Sequence, residues 1–214
     1  GIRDDLVTGV QTCALPISYG ALLNNGMVMQ HFGTCNDGVG KLQSGGIITV
    51  KSPGGGSSKA GENVLIGNFA LFGATGGRCY VNGEAGDRFA VRNSGALAVV
   101  EGVGDFCCEY MTSGTILNLG SFGKGWGNGM SGGNAYQYDP KDRLPSMYNS
   151  DSVIIKRFGE TKYSEAHENI VLHLLEEQVK WNQSEIAEKI LANWETEKSK
   201  FYYAIPLALY ETQT

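Results

Sequence analysis

The chain has 214 residues, 42% of them hydrophobic, with 31 glycines and a formal net charge of −5. That length supports one or two domains with a sizeable core, and the acidic balance with no basic stripe argues against nucleic acid as a partner. No apolar run approaches the ~20 residues of a membrane helix, so no membrane partner is expected.

The first stretch to raise a question is VTGVQTCALPI, from Val7 to Ile17. It has a short apolar run without the charged-then-long-apolar layout of a signal peptide. Beyond it glycine dominates: 28 of the 31 lie between Gly20 and Gly133. Interleaved Val, Ile, Leu, Phe and Tyr supply apolar area to bury, which a flexible linker lacks.

A Ser/Thr-Gly step recurs at Ser44-Gly45, Thr75-Gly76, Ser94-Gly95, Ser113-Gly114 and Ser131-Gly132, with glycine spacings of 31, 19, 19 and 18. The long first gap contains SPGGGSSKAGE, Ser52 to Glu62, a stretch of loop composition that accounts for nearly all of the excess. A period of 18–19 matches one turn of a β-solenoid and is too short for a helical hairpin or a propeller blade. Aligned on these glycines, one column holds Gly46, Gly77, Ala96, Thr115 and Gly133, a second Ile48, Cys79, Ala98, Leu117 and Ala135, a third Val50, Val81, Val100, Leu119 and Gln137. The intervening columns, with Thr49, Arg78, Asn118 and Asn134, are mixed, which is the period-2 pattern of strands with one face inside. The expected fold is therefore all-β: a right-handed parallel β-helix of about five to seven coils. Gly45, Gly76, Gly95, Gly114 and Gly132 are its structural corner glycines, and Ser44, Thr75, Ser94, Ser113 and Ser131 form a hydroxyl ladder at the corners.

The candidate chemistry is thin. GVGKLQSGG, Gly38 to Gly46, lacks the G-K-[ST] ending of a phosphate loop, and GKGWGNGMSGG, Gly123 to Gly133, reads as coil corners. Five cysteines (Cys13, Cys35, Cys79, Cys107, Cys108) in odd number, without C-x-x-C spacing, fit reduced thiols in a cytoplasmic protein. Cys107 and Cys108 are expected on opposite faces of a strand. Glu84, Asp87, Glu101, Asp105 and Glu109 fall near coil edges; Glu101 and Asp105 flank Gly102-Val103-Gly104 and read as solvated turn positions. Asp87, Arg88, Arg92 and Asp105 read as an ion-pair network. His31, His167 and His173 have no metal-ligand spacing. No catalytic, cofactor-binding or metal-binding residue is assigned.

The tail is helical by pattern. Ser164 is placed to cap a helix whose first turns hold Glu165 and Glu168, with Val171, Leu174, Leu175 and Val179 as its apolar stripe. After Asn182-Gln183-Ser184 a second stripe follows: Ile186, Ala187, Ile190, Leu191 and Trp194. Two such helices need a surface to cover, either the β-helix flank or another domain.

The ordered segments NDGVGKLQSGGIITV, ENVLIGNFALFGATGG, GEAGDRFAVRNSGALAVVEGVGD, CCEYMTSGT and GMSGGNAY resemble the C-terminal β-helix, or GXGXG, domain of the glutamate synthase large subunit. EIAEKILANWETEKSKF is similar to the end of that subunit. The resemblance runs from about Tyr19 to the C-terminus. VTGVQTCALPI before it looks like a translated sequencing adapter, so Gly1 to about Ser18 is read as a non-native, unpacked segment and Cys13 is set aside. Residues 19–150 are then the β-helix and 151–214 its helical tail. The family pattern has glycine where Leu42 stands, and the FCCEYM and GKGWGNG stretches depart from it, which bears on loop conformation.

The resemblance implies a truncated piece of a larger oxidoreductase for glutamate biosynthesis. In that family an amidotransferase domain releases ammonia from glutamine, and a domain carrying FMN and an iron-sulfur cluster uses it to convert 2-oxoglutarate to glutamate. The β-helix carries neither active site and no cofactor, and scaffolds both. Its expected partners are those two domains, with a small reductase subunit or ferredoxin as electron source. Two other readings stand beside it: a separate β-helix subunit, as in formylmethanofuran dehydrogenase, and a carbohydrate-active β-helix enzyme using Glu101 and Asp105.

Overall fold

A computed structural model describes residues 15–52 and 63–213. Its strands are β1 (Val28–Phe32), β2 (Ser44–Lys51), β3 (Val64–Ile66), β4 (Gly76–Asn82), β5 (Glu84–Ala85), β6 (Ser94–Gly102), β7 (Ser113–Ser121), β8 (Asn134–Tyr138) and β9 (Val153–Arg157). Helices α1 (Ser164–Asn182), α2 (Glu185–Ala192) and α3 (Trp194–Glu197) follow, then β10 (Phe201–Pro206) and α4 (Leu207–Gln213). Strands β1, β2, β4, β6, β7 and β8 stack in parallel in chain order, and β10 and β9 extend the same sheet antiparallel. The result is a β-solenoid of about five turns with a short helical C-terminal part.

Register decides which side chains are inside. Ile48, Cys79, Ala98, Ile116 and Ala135 lie one above the next and are buried in the interior. The following column, Thr49, Tyr80, Val99, Leu117 and Tyr136, faces the other way. There Tyr80, Val99, Leu117 and Tyr136 pack against Val171, Leu174 and Leu175 of α1. Both faces of the sheet are covered, as is usual for parallel strands, rather than the one face implied by the sequence columns.

Aligning repeats on Gly114 puts Leu117 and Leu119 in the interior. The strand instead places Ile116 beside Ala98 and Asn118 beside Val100. A one-residue slip exchanges faces, so Leu117 and Leu119 join the helix-facing cluster. Gly114 belongs with Gly46, Gly77 and Gly133, and all four have φ between 72° and 93°.

The opposite side of each coil is a ribbon in which alternate residues are left-handed: Gly38, Gly40 and Leu42; Phe69, Leu71 and Gly73; Arg88, Ala90 and Arg92; Phe106, Cys108 and Tyr110; Gly125, Gly127 and Gly129. Their amides donate alternately to the next and the previous coil. Phe69 N reaches Asp87 O at 2.9 Å, Leu71 N reaches Val39 O at 2.7 Å and Gly73 N reaches Val91 O at 3.0 Å. Arg88, Ala90 and Arg92 repeat this with Asp105, Ala70 and Glu109. Left-handed φ costs a side-chain-bearing residue on the order of 1–2 kcal/mol, and here the inter-coil bonds hold it in place.

Three sequence expectations are corrected. Cys107 and Cys108 are not on a strand; they lie in the ribbon, whose bend brings both into the interior with their sulfurs 3.6 Å apart. Ser164 does not cap α1: its Oγ accepts the amides of Gly159 and Thr161 in the preceding loop, at 2.9 and 3.4 Å. Ser184 does cap α2, accepting Ala187 N at 3.1 Å. The tail is not helical throughout, because the apolar run Phe201–Pro206 is buried along its whole length as a strand beside β8.

The expected unpacked segment, Gly1 to about Ser18, lies for residues 1–14 outside the described residues, as does residues 53–62 of the Ser52–Glu62 loop. Pro16 and Ser18 are tied to the first coil, through Asn36 N to Pro16 O at 2.9 Å and Ser18 N to Asp37 O at 2.7 Å.

Two substitutions probe the coil stacking. A Cβ on Gly95 would sit 2.2 Å from Thr75 O, so Gly95→Ala is expected to cost about 3 kcal/mol in urea unfolding. Leu42 is 45% exposed at φ 56°, so Leu42→Gly is expected to stabilise by about 1 kcal/mol. Unchanged midpoints contradict this account.

Candidate functional site

The corner glycines act through close approach more than through φ. Of Gly45, Gly76, Gly95, Gly114 and Gly132, only Gly114 has positive φ, at 93°. Elsewhere a Cβ would strike the preceding coil: 2.6 Å from Ser44 O at Gly76 and 2.2 Å from Thr112 O at Gly132. Ser44 and Ser94 donate to Leu23 O and Ala74 O of that coil, at 3.4 and 3.3 Å. Thr75, Ser113 and Ser131 stand exposed at the same corners. The buried side chains serving the corners come one residue earlier. Gln43 Nε2 donates to Gly45 O at 2.9 Å, while Asn93 Oδ1 accepts Ala96 N and its Nδ2 donates to Ala96 O, both at 2.9 Å.

A second ladder runs up the solenoid where sequence reading saw only scattered carboxylates. Asp37 Oδ1 accepts Asn68 N at 2.7 Å, Asn68 Oδ1 accepts Asp87 N at 2.8 Å, Asp87 Oδ1 accepts Asp105 N at 2.8 Å, and Asp105 Oδ1 accepts Lys124 N at 3.0 Å. The residue before each donating amide of the next coil is glycine for a steric reason. A Cβ on Gly67, Gly86, Gly104 or Gly123 would lie 2.0–2.4 Å from that oxygen. The signal was present as a Gly-Asx pair at the coil period.

Glu101 is not a solvated turn residue. It is 4% exposed and accepts from Asn82 Nδ2 at 3.0 Å and from Gln178 Nε2 of α1 at 3.0 Å. Gln178 also donates to Val81 O at 3.0 Å, so this seam fastens the helix to the sheet. Next to it Glu177 accepts from Lys180 Nζ at 2.8 Å, Trp181 Nε1 at 3.1 Å and Tyr80 Oη at 3.3 Å. Burial pushes the Glu177 carboxyl up, but those hydrogen bonds outweigh it and hold it below its ordinary range. The expected Asp87–Arg88–Arg92–Asp105 network is also different. Arg88 pairs with Glu109 at 3.7 Å and lies over the rings of Phe69 and Phe106, and Asp87 and Asp105 serve the backbone ladder.

The thiols of Cys35, Cys79, Cys107 and Cys108 are buried. Burial pushes the thiols of Cys35 and Cys79 up to about 12, which removes nucleophilic character. Cys108 is raised by its hydrogen bond to Cys107 and by burial. Among the described residues no three His, Cys, Asp or Glu side chains come together as a metal ion would require. His167 Nδ1 meets Tyr136 Oη at 2.7 Å and its ring stacks on Tyr203 at 4.1 Å, whereas His173 is exposed on α1. The amides of Gly38 and Gly40 bond Asn68 O and Tyr19 O, so the glycines of GVGKLQSGG bind neighbouring coils instead of cradling a phosphate. Among the described residues, an open groove of about 270 Å³ lies around Lys156, Tyr163 and Ile205, and another of about 290 Å³ around Ser18, Lys41, Phe69 and Phe72. No described helix is long and apolar enough to cross a membrane.

Fold and polar chemistry together define a parallel β-solenoid whose hydrogen-bonding side chains are turned on its own backbone and on the helix that covers it. A profile described as GXGXG motif matches residues 10–207, and the chain belongs to that family. Its relatives are glutamate synthases. It is 43% identical over 189 residues to the ferredoxin-dependent glutamate synthase of Antithamnion sp., covering 88% of this chain and 12% of that protein. It is 40% identical over 207 residues to the glutamate synthase [NADPH] large chain of Bacillus subtilis, covering 96% and 13%, and 42% identical over 190 residues to the glutamate synthase [NADH] of Schizosaccharomyces pombe, covering 88% and 9%. The chain thus spans about a tenth of the length of these relatives.

Two tests address the seam and the aromatic cluster. Glu101→Ala leaves the buried amides of Asn82 and Gln178 without their acceptor and is expected to cost about 3 kcal/mol, with Glu101→Gln costing less; equal stability of all three proteins in urea contradicts the seam. Burial holds the His167 imidazole below its ordinary 6.5. Its contribution is therefore full above pH 6.5 and is lost as the pH falls through the folded-state pKa. His167→Gln, which keeps a partner for Tyr136, should flatten the loss of thermal stability as the pH falls below about 6.5; parallel curves would refute it.

Proposed function

We propose that this chain is the structural GXGXG domain of a glutamate synthase, a scaffold that holds the amidotransferase domain and the FMN-bearing synthase domain in register while glutamine and 2-oxoglutarate are converted to glutamate. The observation that carries the reading is continuous similarity over 88–96% of the chain to glutamate synthases in which the matching segment is 9–13% of the length. The physical chemistry is compatible with it. Carboxylates and amides are engaged by backbone ladders and the helix seam, and the buried thiols are turned inward. Such a body is stiff, since every coil is bonded to its neighbours on two sides.

FMN and an iron-sulfur cluster, on this reading, belong to the rest of the parent polypeptide. The relatives are named for ferredoxin, NADPH and NADH alike. The choice of electron donor, whether through a reductase subunit or ferredoxin, then lies outside this segment.

The experiment uses this chain alone and a chimera in which its residues 10–207 replace the matching segment of the Bacillus subtilis large chain. The chain alone is expected to form no glutamate from glutamine, 2-oxoglutarate and reductant, and the chimera is expected to form it. Glutamate from the chain alone, or a folded, cofactor-loaded chimera that forms none, overturns the proposal.

A further inference from the structure

A strand would point the thiols of adjacent cysteines to opposite faces. The ribbon does the reverse. Phe106 and Cys108 are left-handed, at φ 59° and 60°, and the bend between them turns both cysteine side chains into the apolar interior. Both are free thiols, and Cys107 Sγ touches Cys108 Sγ at 3.6 Å. Side-chain rotation and the removal of two hydrogens separate this dithiol from a disulfide.

The ring such a bond closes is strained. Adjacent Cα atoms lie about 3.8 Å apart across a trans peptide, below the usual lower limit of about 4.4 Å for a bridged pair, and strained disulfides are the readily reduced ones. The peptide group inside the ring also ties the coils together. Its N–H, from Cys108, donates to Phe89 O of the preceding coil, and its carbonyl, from Cys107, accepts Gly127 N of the following coil, both at 2.9 Å. Its flanking side chains reach the surface, Phe106 half-buried and Tyr110 50% exposed. One layer of chain therefore lies between the thiols and water.

We propose that Cys107 and Cys108 form a reversible oxidation site, a dithiol that closes to a vicinal disulfide under a hydroperoxide and reopens under a thiol of the glutathione class. The step balances with hydrogen peroxide as oxidant. Each cysteine gives up one proton and one electron, the S–S bond forms, the peroxide O–O bond breaks, and two waters leave. Reopening consumes two molecules of the thiol, which depart as their own disulfide. In the resting chain the hydrogen bond to Cys107 and burial push the Cys108 thiol up, so the pair stays reduced until this turn of the ribbon opens locally. Closure then distorts the peptide group that both neighbouring coils hold, and the redox state of the pair is felt in the stacking.

The test treats the full chain with hydrogen peroxide over a series of urea concentrations, blocks remaining thiols with iodoacetamide and maps the protein by mass spectrometry without reductant. The tryptic peptide Asn93–Lys124 contains these two cysteines and no other. Below the unfolding transition it is expected to be lighter by two hydrogens, to carry no alkyl group, and to return to the dithiol under glutathione. In the oxidised chain the amides of Cys108 and Gly127 are expected to exchange hydrogen about tenfold faster than in the reduced chain. A dithiol left unchanged, a sulfinic acid at either cysteine, a link to a third cysteine, or closure only at urea concentrations that unfold the chain overturns the proposal. Equal exchange rates in the two states overturn the coupling to the neighbouring coils.

Discussion

Backbone stacked on backbone, coil upon coil, is the constraint from which the other features of this molecule follow. On one side the coils meet as parallel strands, and on the other as a ribbon whose amides point up and down in turn. Successive backbones lie roughly 4.8 Å apart across the strands, which leaves no room for a Cβ wherever a carbonyl or an Asx oxygen points at the next coil. The glycines at 67, 86, 104 and 123, and again at 95 and 132, stand at those places. The same bonds let Phe69, Arg88, Phe106 and Tyr110 keep a left-handed φ that none of them favours.

Stacking also explains where the polar side chains went. A solenoid corner exposes peptide groups that its own short turn does not satisfy, and Gln43, Asn93 and the Asp37–Asn68–Asp87–Asp105 series are bent back to bond them. The outer sheet face poses the opposite problem, because Tyr80, Val99, Leu117 and Tyr136 form an apolar strip that water would contact. Helix α1 covers it, and Glu101 and Gln178 fix the helix in position at the strip's margin. In the proposed function, a body built in this way would supply shape and stiffness to its neighbours.

The coil period was legible because steric demand for glycine repeats with the coil, and so survives in composition. The ribbon was not. Most of its left-handed positions carry Leu, Phe, Arg, Ala, Cys or Tyr, so no residue type announces the conformation. Glu101 beside Gly102 looked like a turn acid; its burial depends on Gln178, 77 residues away. Leu117 was given to the interior because Gly114 was matched to the wrong glycine of a Gly-Gly pair, and in a strand an error of one residue inverts every assignment that follows.

By itself the sequence determined the parallel β-solenoid, its 18–19-residue turn, the two helices split at Asn182-Gln183-Ser184 and the family, since each of these rests on local spacing or on ordered motifs. Tertiary structure decided the rest: the side of the sheet each column faces, the left-handed ribbon, the strand Phe201–Pro206 that covers β8, and the inward roles of Glu101 and Cys108. Those features depend on which backbone lies against which, and a chain read in one dimension contains no such neighbour.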